Sequence, residues 1–308
     1  MSASRREFIA GSALALIGGA VGGREVVRAW QQRQGAPPAS PVFTPIRRNV
    51  GYFTMRGGTI GYLVDPGGVA VVDTQFMDSA QVFLAGLQER SKNRGVDRLL
   101  NTHHHGDHVS GNMAFKGVAK RVVAHATAAE HMKSPPGRQG STAEQLYPDA
   151  TFTDVWREQI GGEWIRAKHY GRAHTGGDAV ITFERANVAH MGDLMFNRRH
   201  PVVDRPAGAS LRNWAMVLEK AAGDHDNGTT YIFGHAGGQH PVVGPRAELL
   251  LFRDYLTGLL EFVQGQIKAG RSQAEITAIR EPLPKFPDHG PLNASILGNA
   301  YGELTEGG

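Results

Sequence analysis

The chain has 308 residues, of which 41% are hydrophobic and 20% charged, enough to bury the core of one large or two small domains. It contains no cysteine, which excludes disulfides, thiolate metal ligands and a cysteine nucleophile, so any bound metal must be held by nitrogen and oxygen. The net charge is +4. Five arginines against two glutamates in residues 1–35 account for +3 of it, leaving no basic surface that argues for nucleic-acid binding.

The chain opens on "SRREFIAGSALALIGGAVGG". Arg5 and Arg6 precede a weakly apolar stretch, and the segment looks like a twin-arginine export signal spanning residues 1–35. That resemblance implies a periplasmic or secreted protein whose first partner is the twin-arginine export machinery. The apolar run is too short and too rich in Gly and Ala for a spanning helix. Residues 36–48, with "APPASPVFTP", read as an extended linker.

From residue 49 the pattern changes. "VGYFTM", "TIGYLVD" and "GVAVVDT" alternate β-rich runs with glycine turns and predict an antiparallel meander. Residues 78–93 predict an amphipathic helix, and 96–102, "VDRLLNT", a buried strand that runs straight into "HHHGDH". "KRVVAH" predicts another strand and 126–133 a short helix. "KSPPGRQG" opens a long irregular connection that suits either a lid or a surface excursion. "EWIRAKHYG", "DAVITFE" and "NVAHMGD" form a second β-rich region, 210–222 a helix, and "TTYIFGH" a strand ending at His235. Residues 49–243 thus read as one catalytic domain and 244–308, with a long amphipathic helix over 245–270, as a helical extension packed on it.

The histidine loop carries the chemistry. Side chains two apart in an extended segment point the same way, so His103 and His105 can grip one cation. Asp107 and His108 follow the turn at Gly106 and face a neighbouring position. Further ligands are expected at other strand ends beside glycines, and His174 in "GRAHTGGDAV", Asp193 in "NVAHMGD" and His235 in "TTYIFGH" meet that description. Imidazole and carboxylate without thiolate suit Zn²⁺, with Fe or Mn also admissible. His104 occupies a variable position of the loop. His125, His131, His169, His190 and His200 are assigned structural or surface roles.

The order HxHxDH, "AHTxGD", "GDLxF", "GH" resembles the metallo-β-lactamase fold superfamily, over about residues 50–240. The resemblance implies an α+β, four-layer αββα sandwich with metal between the sheets. It implies that His103, His105 and His174 bind a first Zn²⁺, that Asp107, His108 and His235 bind a second, and that Asp193 bridges them. Asp73, closing "VAVVD", would support the ligand loop from behind. The bridging aspartate is more similar to glyoxalase II and the acyl-homoserine lactonases than to many true β-lactamases, and "MRGGTIG" leaves no room for the long flap of the latter. Lactonases usually carry Tyr three residues after that aspartate, where this chain has Phe196.

Two zinc ions roughly 3.5–4 Å apart lower the pKa of a shared water and supply a hydroxide nucleophile. Asp107 is then the catalytic carboxylate that orients it and carries a proton to the leaving group. The expectation is an exported dinuclear metallo-hydrolase acting on a small-molecule ester, lactone, thioester or amide, with Arg198 or Arg199 as candidate contacts for a substrate carboxylate. Two rivals stand beside it: a mononuclear iron enzyme similar to persulfide dioxygenases, and a non-catalytic periplasmic metal-binding accessory protein. Nothing in the sequence fixes the oligomeric state.

Overall fold

A strand buried on both faces reads as a continuous apolar run, and one with a wet face alternates. Both kinds occur here and they locate two sheets. The computed structural model describes residues 40–133 and 144–306; the segment expected to be an export signal and most of "KSPPGRQG" lie outside them. The first sheet holds β1 (Val42–Arg47), β2 (Val50–Thr54), β3 (Ile60–Asp65), β4 (Gly68–Val72), β5 (Arg98–Asn101), β6 (Val122–His125) and β7 (Ala150–Phe152), in that order across the sheet. β1 to β4 are antiparallel, as the meander predicts, and β4 to β7 are parallel. Parallel neighbours need a crossover, and helix α1 (Met77–Ser91) provides it between β4 and β5.

Every residue of β4 is buried. Val69 and Val71 point to a cluster with Phe83 and Leu87 of α1, while Ala70 and Val72 join Ile165, Ile181 and Phe183 from the other sheet. The second sheet has the order β15-β13-β11-β10-β9-β8, from β8 (Val155–Ile160), β9 (Glu163–Lys168), β10 (Val180–Phe183), β11 (Val188–His190), β13 (Thr230–Ile232) and β15 (Val243–Gly244). β9 alternates buried and half-buried positions. β12 (Phe196–Asn197) and β14 (His235–Ala236) form a separate parallel pair.

Three buried clusters therefore lie in series: helix against sheet, sheet against sheet, sheet against helix. Three cores between four layers is the αββα sandwich. The short α2 (Gly106–Val109) carries part of the histidine loop, and α3 (Ala126–Lys133) follows β6. The last layer is α4 (Leu211–Gly223), α5 (Arg246–Lys268), the short α6 (Gln273–Thr277) and α7 (Ala294–Thr305). Along α5, Leu249, Phe252, Leu256, Leu259 and Val263 are buried at three- and four-residue spacing, which puts them on one face. Leu283, Leu292, Ile296 and Leu297 share the cluster of Trp214 and Phe252. The extension is thus built into the outer layer, and the described residues belong to one compact unit.

The linker reading of 36–48 is corrected at its end. Residues 42–47 pair with β2, because Phe43 at 4.8 Å from Phe53 and 5.4 Å from Phe83 gives this edge segment an apolar anchor. Pro45 is tolerated there because an edge strand need not donate on its open side. No helix among the described residues is long and apolar enough to cross a membrane.

Candidate metal centre

β5 delivers the ligand loop. Thr102 and His103 follow its last residue, His105 caps α2 and His108 lies within it. Asp73 fixes this loop from below. It follows β4 with a positive φ of 62°, a conformation disfavoured for a residue with a Cβ and kept where surrounding contacts over-determine it. Its carboxylate accepts from the Thr102 amide at 2.8 Å and the Thr102 hydroxyl at 2.7 Å, and sits 2.8 Å from His108 Nδ1. Taking the Nδ1 proton aims His108 Nε2 into the site. Gly58 leaves room for that ring, since a Cβ there would lie 2.1 Å from His108 Cε1.

The other ligand candidates arrive from the second sheet. His174 precedes β10 in a glycine-flanked turn. Asp193 and His235 do not end strands, as the sequence suggests. Asp193 lies in the single 3-10 turn Gly192–Leu194 after β11, and His235 opens β14. Gly192, with φ of 51°, lets that turn pass Thr102. At Gly234 a Cβ would lie 2.1 Å from Asp193 Oδ1.

The structure brings all seven side chains together. The ligand atoms of His103, His105, His174 and Asp193 lie within 4.8 Å of one another, and so do those of Asp107, His108 and His235. Asp193 stands between the groups. Its Oδ2 is 3.5 Å from His174 Nε2 and 3.9 Å from His103 Nε2, and its Oδ1 is 2.9 Å from His108 Nε2 and 3.3 Å from His235 Nε2. Asp107 Oδ2 is 3.2 Å from His235 Nε2. Six of the seven are buried, and Asp107 is the exception, with 26% of its side chain exposed.

The donor set fits a cation. His174 Nδ1 donates to the Val202 carbonyl at 2.8 Å, which leaves a lone pair on Nε2. His105 Nε2 donates to Asp204 Oδ2 at 2.9 Å, which leaves a lone pair on Nδ1. Those two lone pairs face each other at 2.8 Å and repel unless positive charge stands between them. His103 Nε2 is buried without a hydrogen-bond partner, which is costly unless something else satisfies it.

The electrostatics point the same way. Burial, reinforced by neighbouring imidazoles, holds His103 well below the usual histidine range and His174 at about 3, so both favour the neutral, ligating form. Burial also opposes charge on His108, but the carboxylates of Asp193, Asp107 and Asp73 outweigh it and draw positive charge to that ring. Burial works against ionised Asp107, yet His108 and the His235 bond hold it at about 2. Asp193 is held well below the carboxylate range by His235 and His108 against the same penalty.

Sequence reasoning missed Asp204, which takes the His105 proton and approaches His104 Nε2 at 3.5 Å. The bonds to His104 and His105 hold its carboxyl far below the usual range. Its signal was a lone acid before Arg-Pro in a basic loop. His190 accounts for itself structurally, Nε2 donating to the Thr59 carbonyl at 3.0 Å. Arg198, a candidate substrate contact, has a positive φ of 50° and is tied to Glu248 and to Asn197 Oδ1. Arg199 has no hydrogen bond or ion pair among the described residues and is half-buried.

Comparison with known proteins agrees with the architecture. Residues 54–239 match the family model of the metallo-beta-lactamase superfamily. Metallo-beta-lactamase IND-1 of Chryseobacterium indologenes is 26% identical over 188 residues, 58% of this chain and 73% of that protein. A metallo-beta-lactamase structure from Pontibacter korlensis superposes with a TM-score of 0.59 at 18% identity, covering 71% of this chain and 99% of that one. A stereoselective inverting sec-alkylsulfatase from Pseudomonas sp. superposes with a TM-score of 0.64 at 15% identity over 89% of this chain, which spans about half (54%) of the sulfatase. With the family model matched over more than half of its length and the ligand groups gathered just after β5, β11 and β13 and before β10, this chain belongs to the metallo-β-lactamase superfamily.

Proposed function

We propose that the protein is an exported, zinc-dependent hydrolase with two metal sites, acting on a small ester, lactone, thioester or amide in the periplasm or outside the cell. One observation carries this reading: the two oxygens of Asp193 face two different ligand groups. A single structural site has no use for a second His-His-Asp group beside it. His103, His105 and His174 would hold the first ion, Asp107, His108 and His235 the second, with Asp193 shared. Held there, two Zn²⁺ ions supply a water acidified toward neutrality and a Lewis acid for a carbonyl or related oxygen.

The chain's own groups do the rest. Asp107 is the one ligand candidate with a solvent-facing carboxylate, ionised well below neutral pH, so it is the group placed to orient an attacking water and hand its proton to the leaving atom. His174 and His105 have their distal protons fixed on Val202 and Asp204, so neither ring turns during the reaction. Arg199 keeps its donors available for a substrate anion beside β12 and β14, a role Arg198 has given up to Glu248.

The test is metal analysis of purified protein together with a His105→Ala variant, followed by a substrate panel. Two zinc ions per chain, reduced in the variant, support the reading. About one iron per chain with oxygen consumption overturns it in favour of iron chemistry, and two zinc ions without turnover of any panel member favour an accessory protein. The panel should hold nitrocefin, lactones and thioesters. A secondary alkyl sulfate belongs with them, since an aligned structure is named for that activity.

A further inference from the structure

The segment between β12 and the turn Arg205–Ala207 is a strap with two faces. Its inner face holds two ligand candidates: the Val202 carbonyl takes the His174 Nδ1 proton and Asp204 takes the His105 Nε2 proton. The Asp204 amide also donates to the His174 carbonyl at 3.3 Å. Its outer face is held by the C-terminal extension. Arg198 pairs with Glu248 of α5. His200 Nε2 donates to the Pro291 carbonyl at 3.0 Å, which leaves Nδ1 to accept the Tyr255 hydroxyl at 2.6 Å. Arg205 pairs with Glu306 beyond α7 at 3.0 Å.

The middle anchor is rigid. Tyr255 is fully buried on α5, with the His289 ring stacked on it at 4.0 Å and an interplanar angle of 4°, and Phe252 stacked at 5.8 Å. Among the described residues, neither His200 nor Tyr255 touches a member of the second group. His108 is held by Asp73, just after β4, and fitted against Gly58, between β2 and β3, while His235 stacks on Phe196 at 5.2 Å.

We infer that the C-terminal extension is a positioning element for the first metal site: through His200 and Tyr255 it holds the strap of residues 198–205, and the strap holds His105 and His174. The inference rests on the two-site reading above. Partners that fix a ligand's ring orientation change metal affinity by roughly 10- to 100-fold. His200 acts one bond further out, so the lower end applies. The extension is then a place where changes far from the ligands alter the occupancy of one site and spare its neighbour.

The experiment is equilibrium competition between a chelator and the Co²⁺-loaded full chain, resolving two affinities. His200→Ala should weaken one ion by about tenfold and leave the other within about twofold. His200→Gln should restore most of the loss, because the amide can donate to Pro291 and accept from Tyr255. Tyr255→Phe should weaken the same ion by a smaller factor, and it serves if His200→Ala fails to fold. Wild-type affinities for both ions in a folded His200→Ala or Tyr255→Phe variant overturn the inference, as does equal weakening of both. A wild-type protein that takes up only one ion overturns the two-site reading instead, and the strap then stands or falls on whether that single ion weakens in His200→Ala.

Discussion

The two ligand groups sit side by side with Asp193 between them, and key members of each are supported differently. Asp73, fully buried after β4, spends its carboxylate on Thr102 and His108, and Gly58 is shaped to the His108 ring. In the first group His103 Nδ1 meets the same Thr102 hydroxyl at 3.0 Å, but His105 and His174 lean on a loop of the other half, through one carboxylate and one backbone carbonyl. A fully buried prop is tied to folding, whereas a partly exposed prop on a loop can be lost without unfolding the chain. The difference teaches where stability and metal affinity should separate.

Breaking the shared residue should have the largest effect. Asp193→Ala removes both oxygens that face the groups, so metal content should fall below one ion per chain and kcat/KM by on the order of 10³-fold. Retention of two ions would show that the groups are independent. Next, Asp73→Ala should cost about 1–3 kcal/mol of stability by leaving buried donors unpaired, and roughly 10- to 100-fold in affinity at the second site. Asp204→Asn should cost a similar factor at the first site with a thermal midpoint close to wild type, because its side chain is partly exposed. Denaturant melts and chelator competition on the same preparations decide it. Equal destabilisation by the two variants would erase the contrast between the props.

The same contrast explains what was legible in the sequence. The ligand candidates could be read because they are His and Asp residues following apolar runs, four of them, His105, Asp107, Asp193 and His235, next to glycine, and Asp73 because it closes "VAVVD" in a recognisable order. The four layers were legible through the resemblance that the ordered motifs carry, while runs such as "GVAVV" and the spacing along α5 marked individual strands and helices. The support of the first group was not. The Val202 carbonyl has no side-chain signature, and the Asp204 contact to His105 spans 99 residues, set only by how the strap is held. The Arg198 contact is hidden in a related way: its charge is visible in the sequence, but its pairing with Glu248, 50 residues away, is not. The edge strand β1 was read as linker because Pro45 masked the Phe43 anchor.

The smallest predicted effect lies farthest from the metals and tests the extension that backs the strap. His289 is buried with both ring nitrogens unpaired, stacked on Tyr255 and next to Phe286, with His200, Arg198 and His240 near it. Burial, then those neighbours, lower its pKa to about 3, against about 6.5 in an unfolded chain. Between the two values the unfolded chain holds the extra proton, so the native state should gain stability as pH rises from 3 and have it in full above 6.5. One proton contributes at most about 1.4 kcal/mol per pH unit to that slope. His289→Phe keeps the stack and removes the titration. Its urea-unfolding free energy, measured on chelator-treated protein beside wild type, should therefore fall less steeply on acidification from pH 6.5. Parallel profiles would mean that native His289 takes up its proton as readily as the unfolded chain does, and that the outer anchor of the strap is more open to acid than its packing indicates.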